Sequence, residues 1–297
     1  MNLFGKLKAR FGQQILLNAR PYRDRHFDEC GLCSVCGTIS TFVFNSLVIP
    51  DDQFADVNDG ETFFAYQRRE SLYCQFCGSS LRARGFADAL LSIYSQGACS
   101  LVALVEEEGF RQLDIAEINT IGSLNSFQKF LGRLPRLSLS QYRGPDHLGE
   151  IVGGIRNEDM CQLTYDDMSF DLVISSDTLE HVPDFKAALS ETRRVLRPGG
   201  RHILTVPVVN SRAMTFRRVE IGSDGHLVHL HPPLYHGRGR GLFKYLPVGG
   251  DLLTFTEFGR DLPDLMRDAG FDPVVFPGSS PSETTGASFV YIGTVID

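Results

Sequence analysis

The hydrophobic pattern of this chain switches repeatedly between two periods over most of its length. Short, nearly continuous apolar runs such as FDLVISSD (170–177) and RHILTVPV (201–208) are typical of strands buried on both faces of a parallel sheet. Between such runs lie segments with apolar residues at helical spacing, such as FADALLSIYSQ (86–96) and SFQKFLGRL (126–134). This alternation predicts a doubly wound α/β fold, in which helices cover both faces of a mostly parallel sheet.

The same pattern assigns the individual elements. Strands are predicted at 111–118, 136–143, 170–177, 201–208, 272–277 and 287–296, and helices at 86–96, 126–134, 184–200 and 256–271. Asp184 has the side chain of a helix N-cap, and Pro198-Gly199-Gly200 ends the helix that it begins. The segment 208–254 is rich in His, Gly and Pro, and it interrupts the alternation as an insertion.

Two cysteine pairs precede the predicted sheet. They are Cys33-Ser-Val-Cys36-Gly and Cys74-Gln-Phe-Cys77-Gly. A CxxC turn directs two thiolates at one centre, and the glycine that follows permits the tight backbone. Two such turns supply the four ligands of a tetrahedral Zn²⁺ site, so the spacing predicts a structural zinc module without an open position for catalysis.

Cys30 offers an alternative partner for Cys33 because the two also form a CxxC unit. We prefer Cys36 because its following Gly37 matches the Gly78 of the second pair. Paired cysteines without a secretory signal indicate a reducing compartment, so we expect a cytoplasmic protein.

The charge of the chain indicates which classes of binding partner are unfavourable. The chain has 29 basic and 36 acidic residues and a net charge of −7, which argues against general binding to nucleic acids or anionic membranes. Four arginines flank the second cysteine pair: Arg68, Arg69, Arg82 and Arg84. They form either a solvated basic face or internal ion pairs. The longest apolar runs are too short to span a bilayer, and the sequence leaves the oligomeric state open.

The stretch NEDMCQLTYDDMSFDLVISSDTLEHVPDFKAALSETRRVLRPGGRHILTVPV (157–208) carries a family resemblance. Its acidic pair Glu158-Asp159, the strand FDLVISSD, the LEHV turn (179–182) and the helix ending RVLRPGG resemble the later half of class I S-adenosylmethionine-dependent methyltransferases. The resemblance implies a seven-stranded Rossmann-like sheet that binds S-adenosylmethionine beyond the carboxyl ends of its strands.

The sequence pattern, together with the resemblance, divides the chain. Residues 1–28 are expected to form a helical leader that packs on the body or, as the alternative, lies on a membrane surface. Residues 29–85 form the zinc-ribbon-like module, and residues 86–297 the methyltransferase domain. Within that domain, the insertion at 208–254 is expected to contact substrate.

The resemblance implies roles for several residues after the third and fourth strands. An acidic residue at the position of Asp159 contacts the adenine amino group in the family. Asp177 ends the fourth strand and either faces the cofactor cleft or caps the following turn. His181 is either structural or lies near the transferred methyl group.

The first strand departs from the family pattern. The family has an acidic residue and a loop with several glycines there, whereas LDIAEINTIG (113–122) has only Gly122. Strand alternation would put Asp114 deep in the sheet, where a charge is costly, and Glu117 at the carboxyl end. We therefore expect Glu117 and Gly122 to hold the amino-acid part of the cofactor, with Asp114 turned away.

The second strand also departs from the family pattern. It normally ends in an acidic residue that binds the ribose hydroxyls, but here it ends Ser140-Gln141-Tyr142-Arg143. Gln141 and Tyr142 are the two alternatives for this role, and we expect Tyr142 to contribute to the cofactor site.

The insertion contains His226, His229, His231 and His236. These histidines pack the loop, contact substrate or bind a metal, and the sequence leaves these alternatives open. Tyr235-His236-Gly237 is the motif that we expect to be functional, because a hydroxyl acceptor needs a base near neutral pH.

The sequence as a whole predicts an enzyme that transfers a methyl group from S-adenosylmethionine to a small-molecule acceptor, such as a sugar or a secondary metabolite. The alternative is a non-catalytic, methyltransferase-like zinc protein that binds a partner or RNA. A dehydrogenase on the same fold ranks last because no GxGxxG motif follows the first strand.

Overall fold

The structure is a computed structural model that describes residues 29–44, 68–119, 125–209, 211–236, 252–277 and 289–296. The predicted leader at 1–28 and Gly122 lie outside the described residues. The described helices are α1 (Leu81–Tyr94), α2 (Leu101–Leu104), α3 (Glu108–Arg111), α4 (Asn125–Leu131), α5 (Phe185–Val195) and α6 (Leu262–Asp268), with a 3₁₀ turn at Leu179–His181. None of the helices within these ranges is long and apolar enough to cross a membrane.

The strands fall into one large sheet and several small ones. In chain order they are β1 (Glu29–Leu32), β2 (Ile39–Phe44), β3 (Leu72–Cys74), β4 (Ile115–Ile118), β5 (Leu137–Gln141), β6 (Ile151–Val152), β7 (Ile155–Asn157), β8 (Phe170–Ser176), β9 (Leu196–Thr205), β10 (Phe216–Arg217), β11 (Val219–Ile221), β12 (Leu227–His229), β13 (Tyr235–His236), β14 (Leu252–Leu253), β15 (Thr256–Glu257), β16 (Phe271–Phe276) and β17 (Val290–Val295).

The central sheet has the order β16-β17-β9-β8-β4-β5-β7-β6. Strand β4 pairs in parallel with β5 and β8, and the pairs β8–β9 and β5–β7 are also parallel. The predicted doubly wound, mostly parallel sheet is confirmed. It has eight strands rather than seven, because the left-handed Gly153 and Gly154 turn the chain so that β6 pairs antiparallel with β7.

The strand order reverses between β4 and β8. From β4 the chain continues to β5 on one side, whereas β8 and β9 lie on the other side. In an open α/β sheet a ligand binds in the crevice beyond the carboxyl ends of the strands at such a switch point. Asn119 follows β4 and Asp177 follows β8, and both have a positive φ, of 56° and 47°. This left-handed backbone is one that Asn and Asp tolerate, and it turns the chain sharply at the crevice.

Several element boundaries differ from those predicted. Helix α1 begins at Leu81 rather than at 86, because the buried Ser80 hydroxyl caps the amide of Ala83 (3.3 Å). Residues 108–111 are helical, so the strand predicted from 111 begins only at Ile115. The helix predicted to reach 200 ends at Val195, because a proline disfavours helical backbone in the residue before it.

Two further boundary results concern the helices of the second half. Asp184 is confirmed as the N-cap of α5, since its side chain accepts from the amides of Lys186 (3.0 Å) and Ala187 (3.2 Å). The helix predicted from 256 begins at Leu262, because Thr256 and Glu257 form β15 instead.

The cysteine module and the central sheet share one apolar core. Phe42 of β2 and Leu72 of β3 are buried in the same cluster as Phe86 of α1 and Leu172 of β8. The boundary predicted at residue 85 falls inside α1, which contacts both parts. The first cysteine turn is also held by backbone, since the amide of Leu101 donates to the carbonyl of Ser34 (2.7 Å).

Candidate functional site

Glu117 ends β4 beside the switch point. Glu117 is only 3% exposed, and its Oε1 accepts a hydrogen bond from Nε2 of Gln128 on α4 (2.8 Å). Among the described residues, its Oε2 has no hydrogen-bond partner. Burial raises the pKa of Glu117 to about 7. A buried carboxylate with one free oxygen is suited to a cationic ligand, which would supply the missing partner.

Asp114 lies at the opposite end of β4, one residue before the strand begins. Its Oδ1 is 2.8 Å from Nε of Arg136, and its Oδ2 is 2.9 Å from Nη2 of Arg197. The side chain is 21% exposed rather than deep in the sheet as predicted. Asp114 therefore has a structural role at the amino edge, and it is turned away from the crevice.

Tyr142 and Asp159 lie at the same edge as Glu117. The Tyr142 amide donates to Oδ1 of Asn119 (2.8 Å), which ties the end of β5 to the end of β4. Burial, and then the negative charges of Asp159 and Cys161, raise the pKa of Tyr142. The two predicted cofactor residues follow different strands, β5 and β7, which are parallel neighbours in the sheet.

Gln141 and Glu158, which also lie at these strand ends, have hydrogen-bond partners within the protein. Oε1 of Gln141 accepts from Nη2 of Arg143 (3.1 Å). The fully buried Glu158 accepts from Arg156 (2.6 Å), and also from the amide and hydroxyl of Thr164. Glu158 is thus a structural carboxylate, and Asp159 is the more accessible member of the acidic pair.

Asp177 has a partner set that the sequence did not anticipate. Its Oδ1 is 2.5 Å from Nη2 of Arg69 and accepts from the Thr205 hydroxyl (2.9 Å), and its Oδ2 is 3.1 Å from Nη1 of Arg82. Burial opposes ionisation, but the two guanidinium charges hold the pKa of Asp177 below its ordinary value. The side chain caps no helix, and both of its oxygens have partners, so its contacts are those of a buried ion pair.

The two arginines connect the cysteine module to this edge of the sheet. Arg69 precedes Cys74 and Arg82 follows Cys77, so both flank the second cysteine turn. Arg69 is 1% and Arg82 7% exposed, and Glu70 adds a second carboxylate 2.9 Å from Nε of Arg82. Of the two alternatives for the basic residues here, the structure has internal ion pairs rather than a solvated face.

His181 fixes the insertion to the turn after β8. Its Nδ1 donates to the carbonyl of Leu253 (2.9 Å), and burial lowers its pKa, so the ring is neutral at pH 7. Burial also raises the pKa of the adjacent Glu180 well above its ordinary value, and the Glu180 carbonyl accepts from the amide of Phe255 (2.7 Å). These contacts favour the structural alternative for His181.

The histidines of the insertion are spread along its surface. His226, His229 and His231 are exposed, and no ligand set forms around them within the part of the chain that the structure describes. The backbone of His236 pairs with Leu252 in the β13–β14 ladder, and its side chain lies outside the described residues.

The two cysteine turns have the same backbone geometry. Gly37 and Gly78 are left-handed, with φ of 71° and 73°. Each donates its amide to the carbonyl of the first cysteine of its own turn, Cys33 or Cys74, at 2.8 Å. A residue with a Cβ disfavours this conformation, which explains the glycine after each CxxC.

The turns bring together the four sulfur atoms of Cys33, Cys36, Cys74 and Cys77. All four lie within 4.8 Å of one another, with Cys33 to Cys77 at 3.8 Å and Cys36 to Cys74 at 4.0 Å. Tetrahedral zinc with Zn–S bonds of about 2.3 Å needs sulfur atoms about 3.8 Å apart, so the four thiols fit the ion. Cys30 is exposed and contacts Thr41 instead.

The comparisons with known proteins match part of this chain. Residues 139–204 match the family described as Methyltransferase domain. Sarcosine/dimethylglycine N-methyltransferase of Halorhodospira halochloris is 41% identical over 70 residues, which cover 24% of this chain and 24% of that protein. An uncharacterized 37.1 kDa protein in transposon TN4556 of Streptomyces fradiae is 32% identical over 123 residues, which cover 41% of this chain and 30% of that protein.

One solved structure aligns with most of the chain at low sequence identity. It is 1,6-didemethyltoxoflavin-N1-methyltransferase of Burkholderia thailandensis with bound 1,6-didemethyltoxoflavin and S-adenosylhomocysteine. Its TM-score is 0.37 and its identity 16%, over 87% of this chain and 96% of that one. The chain spans about a quarter to a third of the length of the two curated relatives that it matches.

Replacing Asp177 tests the buried ion pair. Asp177→Asn removes one of the two carboxylates that pair with the buried Arg69 and Arg82, so we expect the free energy of unfolding to fall by about 3 kcal/mol in urea titrations. The matched control is Asp167→Asn, because Asp167 pairs with Arg194 (2.6 Å) but its side chain is 66% exposed. That change should cost less than about 1 kcal/mol. Equal losses in the two variants would contradict the role given to Asp177.

The same ion pair makes the stability of the protein depend on pH. The folded-state pKa of Asp177 is lowered, so its contribution is fully present above the ordinary aspartate pKa. We expect the stability difference between wild type and Asp177→Asn to shrink as the pH falls below about 4. Urea titrations across the acid range measure this difference, and a gap that widened on acidification would contradict the assignment.

Proposed function

We propose that the chain carries a class I methyltransferase domain, which binds S-adenosylmethionine and transfers its methyl group to a small-molecule acceptor. The observation that supports the proposal best is the buried Glu117 carboxylate at the switch point, with one oxygen unpaired among the described residues. S-adenosylmethionine carries an ammonium and a sulfonium group, and an ionised carboxylate attracts such a cation.

Three other residues complete the proposed cofactor site. Asp159 corresponds to the acidic residue that contacts adenine in the family, and Tyr142, whose pKa responds to Asp159, is proposed to lie along the ribose. Gly122, outside the described residues, is proposed to let the backbone approach the amino-acid part. Asp177 is proposed to hold the turn after β8 in place through Arg69 and Arg82 rather than to bind the cofactor.

The acceptor is proposed to bind between the switch point and the insertion. The Halorhodospira relative is named for sarcosine and dimethylglycine, and a small acceptor such as a sugar or secondary metabolite is proposed here as well. The sulfonium methyl is already reactive, so the main task of the protein is to align the acceptor with it. For a hydroxyl acceptor, His236 is the proposed general base.

Zinc is proposed as the ion held by the four cysteines. A closed set of four thiolates has no position left for a substrate, so the ion would stabilise the module and not take part in methyl transfer. Free thiols at this site fit a reducing, cytoplasmic compartment. Through Arg69 and Arg82, a well-ordered second cysteine turn would also support the edge of β8.

Calorimetric titration with S-adenosylhomocysteine tests the cofactor site. Glu117→Gln keeps the shape of the side chain but removes its charge, so we expect affinity to fall about 10- to 100-fold, the size of a hydrogen bond between charged groups. Asp114→Asn is the matched control on the same strand and should retain affinity close to that of the wild type. A larger loss in Asp114→Asn would mean that the cofactor binds in a different register.

The raised pKa of Glu117 predicts how binding depends on pH. Below pH 7 the carboxyl is mostly protonated, and above it the carboxylate attracts the ammonium of the ligand. We therefore expect the affinity for S-adenosylhomocysteine to rise as the pH increases through about 7. In Glu117→Gln this rise should disappear, and its persistence in that variant would assign the titration to another group.

Metal analysis tests the proposed zinc site. We expect one zinc ion per chain in purified protein, and Cys36→Ser should lower both the metal content and the melting temperature, because metal binding is coupled to folding. Cys30→Ser is the matched control, since Cys30 is exposed and outside the cluster. Full metal content in Cys36→Ser, or its loss in Cys30→Ser, would show that the ligand set is wrong.

A further inference from the structure

A cleft of about 490 Å³ opens in the insertion. It is lined by Arg212, Phe216, Arg218, His231 and Pro232. It lies close to the turn after β8. The amide of Arg218 donates to the carbonyl of Phe255 (2.7 Å), and the amide of Phe255 donates to the carbonyl of Glu180 (2.7 Å).

The wall of this cleft carries an excess of positive charge. Glu257 accepts from Arg218 through Oε1 (2.7 Å), and its Oε2 is 2.8 Å from Nη1 of Arg212. One carboxylate therefore faces two guanidinium groups. The nearby Arg217 has a different carboxylate neighbour, Asp184, whose Oδ1 is 3.9 Å from its Nη2. This local excess contrasts with the net charge of −7 for the whole chain.

The two arginines differ in what they can offer a ligand. Arg218 is buried, and it also donates from Nη1 to the carbonyl of Pro232 (2.5 Å), which fixes its orientation. The side chain of Arg212 is 30% exposed. Within the ranges that the structure describes, Glu257 is the only carboxylate that forms an ion pair with its guanidinium. The remaining N–H groups of Arg212 are thus open to a ligand in the cleft.

An apolar ring lies beside this guanidinium. The Phe216 ring centroid is 4.4 Å from Cζ of Arg212 and 4.8 Å from the ring of His231, which packs edge-on. The exposed Pro232 extends the same wall. A ligand that fits must therefore have an anionic group for Arg212 and an apolar or planar part for Phe216 and Pro232.

We propose that this cleft binds the acceptor through an anionic oxygen group, a carboxylate or a phosphate, with Arg212 as its main ligand. The proposal rests on the proposed methyltransferase function, which it deepens by naming the class of acceptor. A guanidinium matches the geometry of both anions, because two parallel N–H groups can bind two oxygens. Arg218, held by Glu257, keeps the second positive charge in place.

Three small probes separate the anion from the apolar part. Phenyl phosphate, benzoate and phenol share a ring but carry a phosphate, a carboxylate or no anion. Each is titrated into zinc-loaded protein at constant ionic strength, and backbone amide shifts are followed by NMR. We expect phenyl phosphate or benzoate to shift the signals around Arg212 and Phe216 and to bind at least about tenfold more tightly than phenol. Whichever of the two binds better identifies the anion.

Variants of the arginines test whether Arg212 is the residue that binds the anion. Arg212→Gln should weaken the preferred anion at least about tenfold, and Arg212→Lys should restore part of the affinity because it keeps the charge without the planar fork. Arg217→Gln is the matched control, since it removes the same charge from the neighbouring residue, and it should bind like wild type. Thermal unfolding of each variant confirms that the comparison is made on folded protein.

Two outcomes would overturn the proposal: phenol binding as tightly as both anions, or equal anion affinities in Arg212→Gln and Arg217→Gln. Calorimetry with S-adenosylhomocysteine on the same samples separates this proposal from the proposed function. Cofactor binding without anion binding would reject only the cleft. Anion binding at the cleft without cofactor binding would instead reject the methyltransferase proposal and retain the anion site.

Discussion

The reversal of strand order between β4 and β8 is the constraint on which the rest of the structure depends. It brings the carboxyl ends of two neighbouring strands to one crevice, and Asn119 and Asp177 turn the chain away there with left-handed backbone. The carboxylates at the two strand ends differ in their partners. Glu117, at the end of β4, keeps one oxygen unpaired among the described residues, whereas Asp177 is fully engaged by arginines.

The buried Arg69 and Arg82 connect the cysteine module to the edge of the crevice. Two guanidinium groups next to a closed cysteine cluster reach across a shared core to the turn after β8. Charges are costly to bury unless they are paired, so the pairing with Asp177 is what allows both guanidinium groups to be buried beside the second cysteine turn. The module therefore contributes to the shared apolar core and, through these arginines, to one wall of the crevice.

Much of this arrangement could be predicted from the sequence. Apolar periodicity and the CxxCG spacing predicted the sheet and the grouping of the four cysteines, because both depend on local chain geometry. The position of Glu117 at the carboxyl end of the strand was also predicted correctly, whereas the prediction that Asp114 is deep in the sheet was wrong, because Asp114 precedes the strand and is partly exposed. The role of Asp177 could not be predicted, because its partners Arg69 and Arg82 are distant in sequence and meet it only through tertiary packing. The charged cleft at Arg212 was missed for the same reason, since its shared carboxylate comes from Glu257 on another strand.

A crystal structure of the zinc-loaded protein with S-adenosylhomocysteine tests the central claim most directly. The account predicts that the ligand lies at the carboxyl ends of β4 and β8, with its ammonium within hydrogen-bond distance of Oε2 of Glu117 and its adenine beside Asp159. Asp177 should keep both arginines. A ligand bound elsewhere on the chain, with Glu117 still lacking its second partner, would contradict the account.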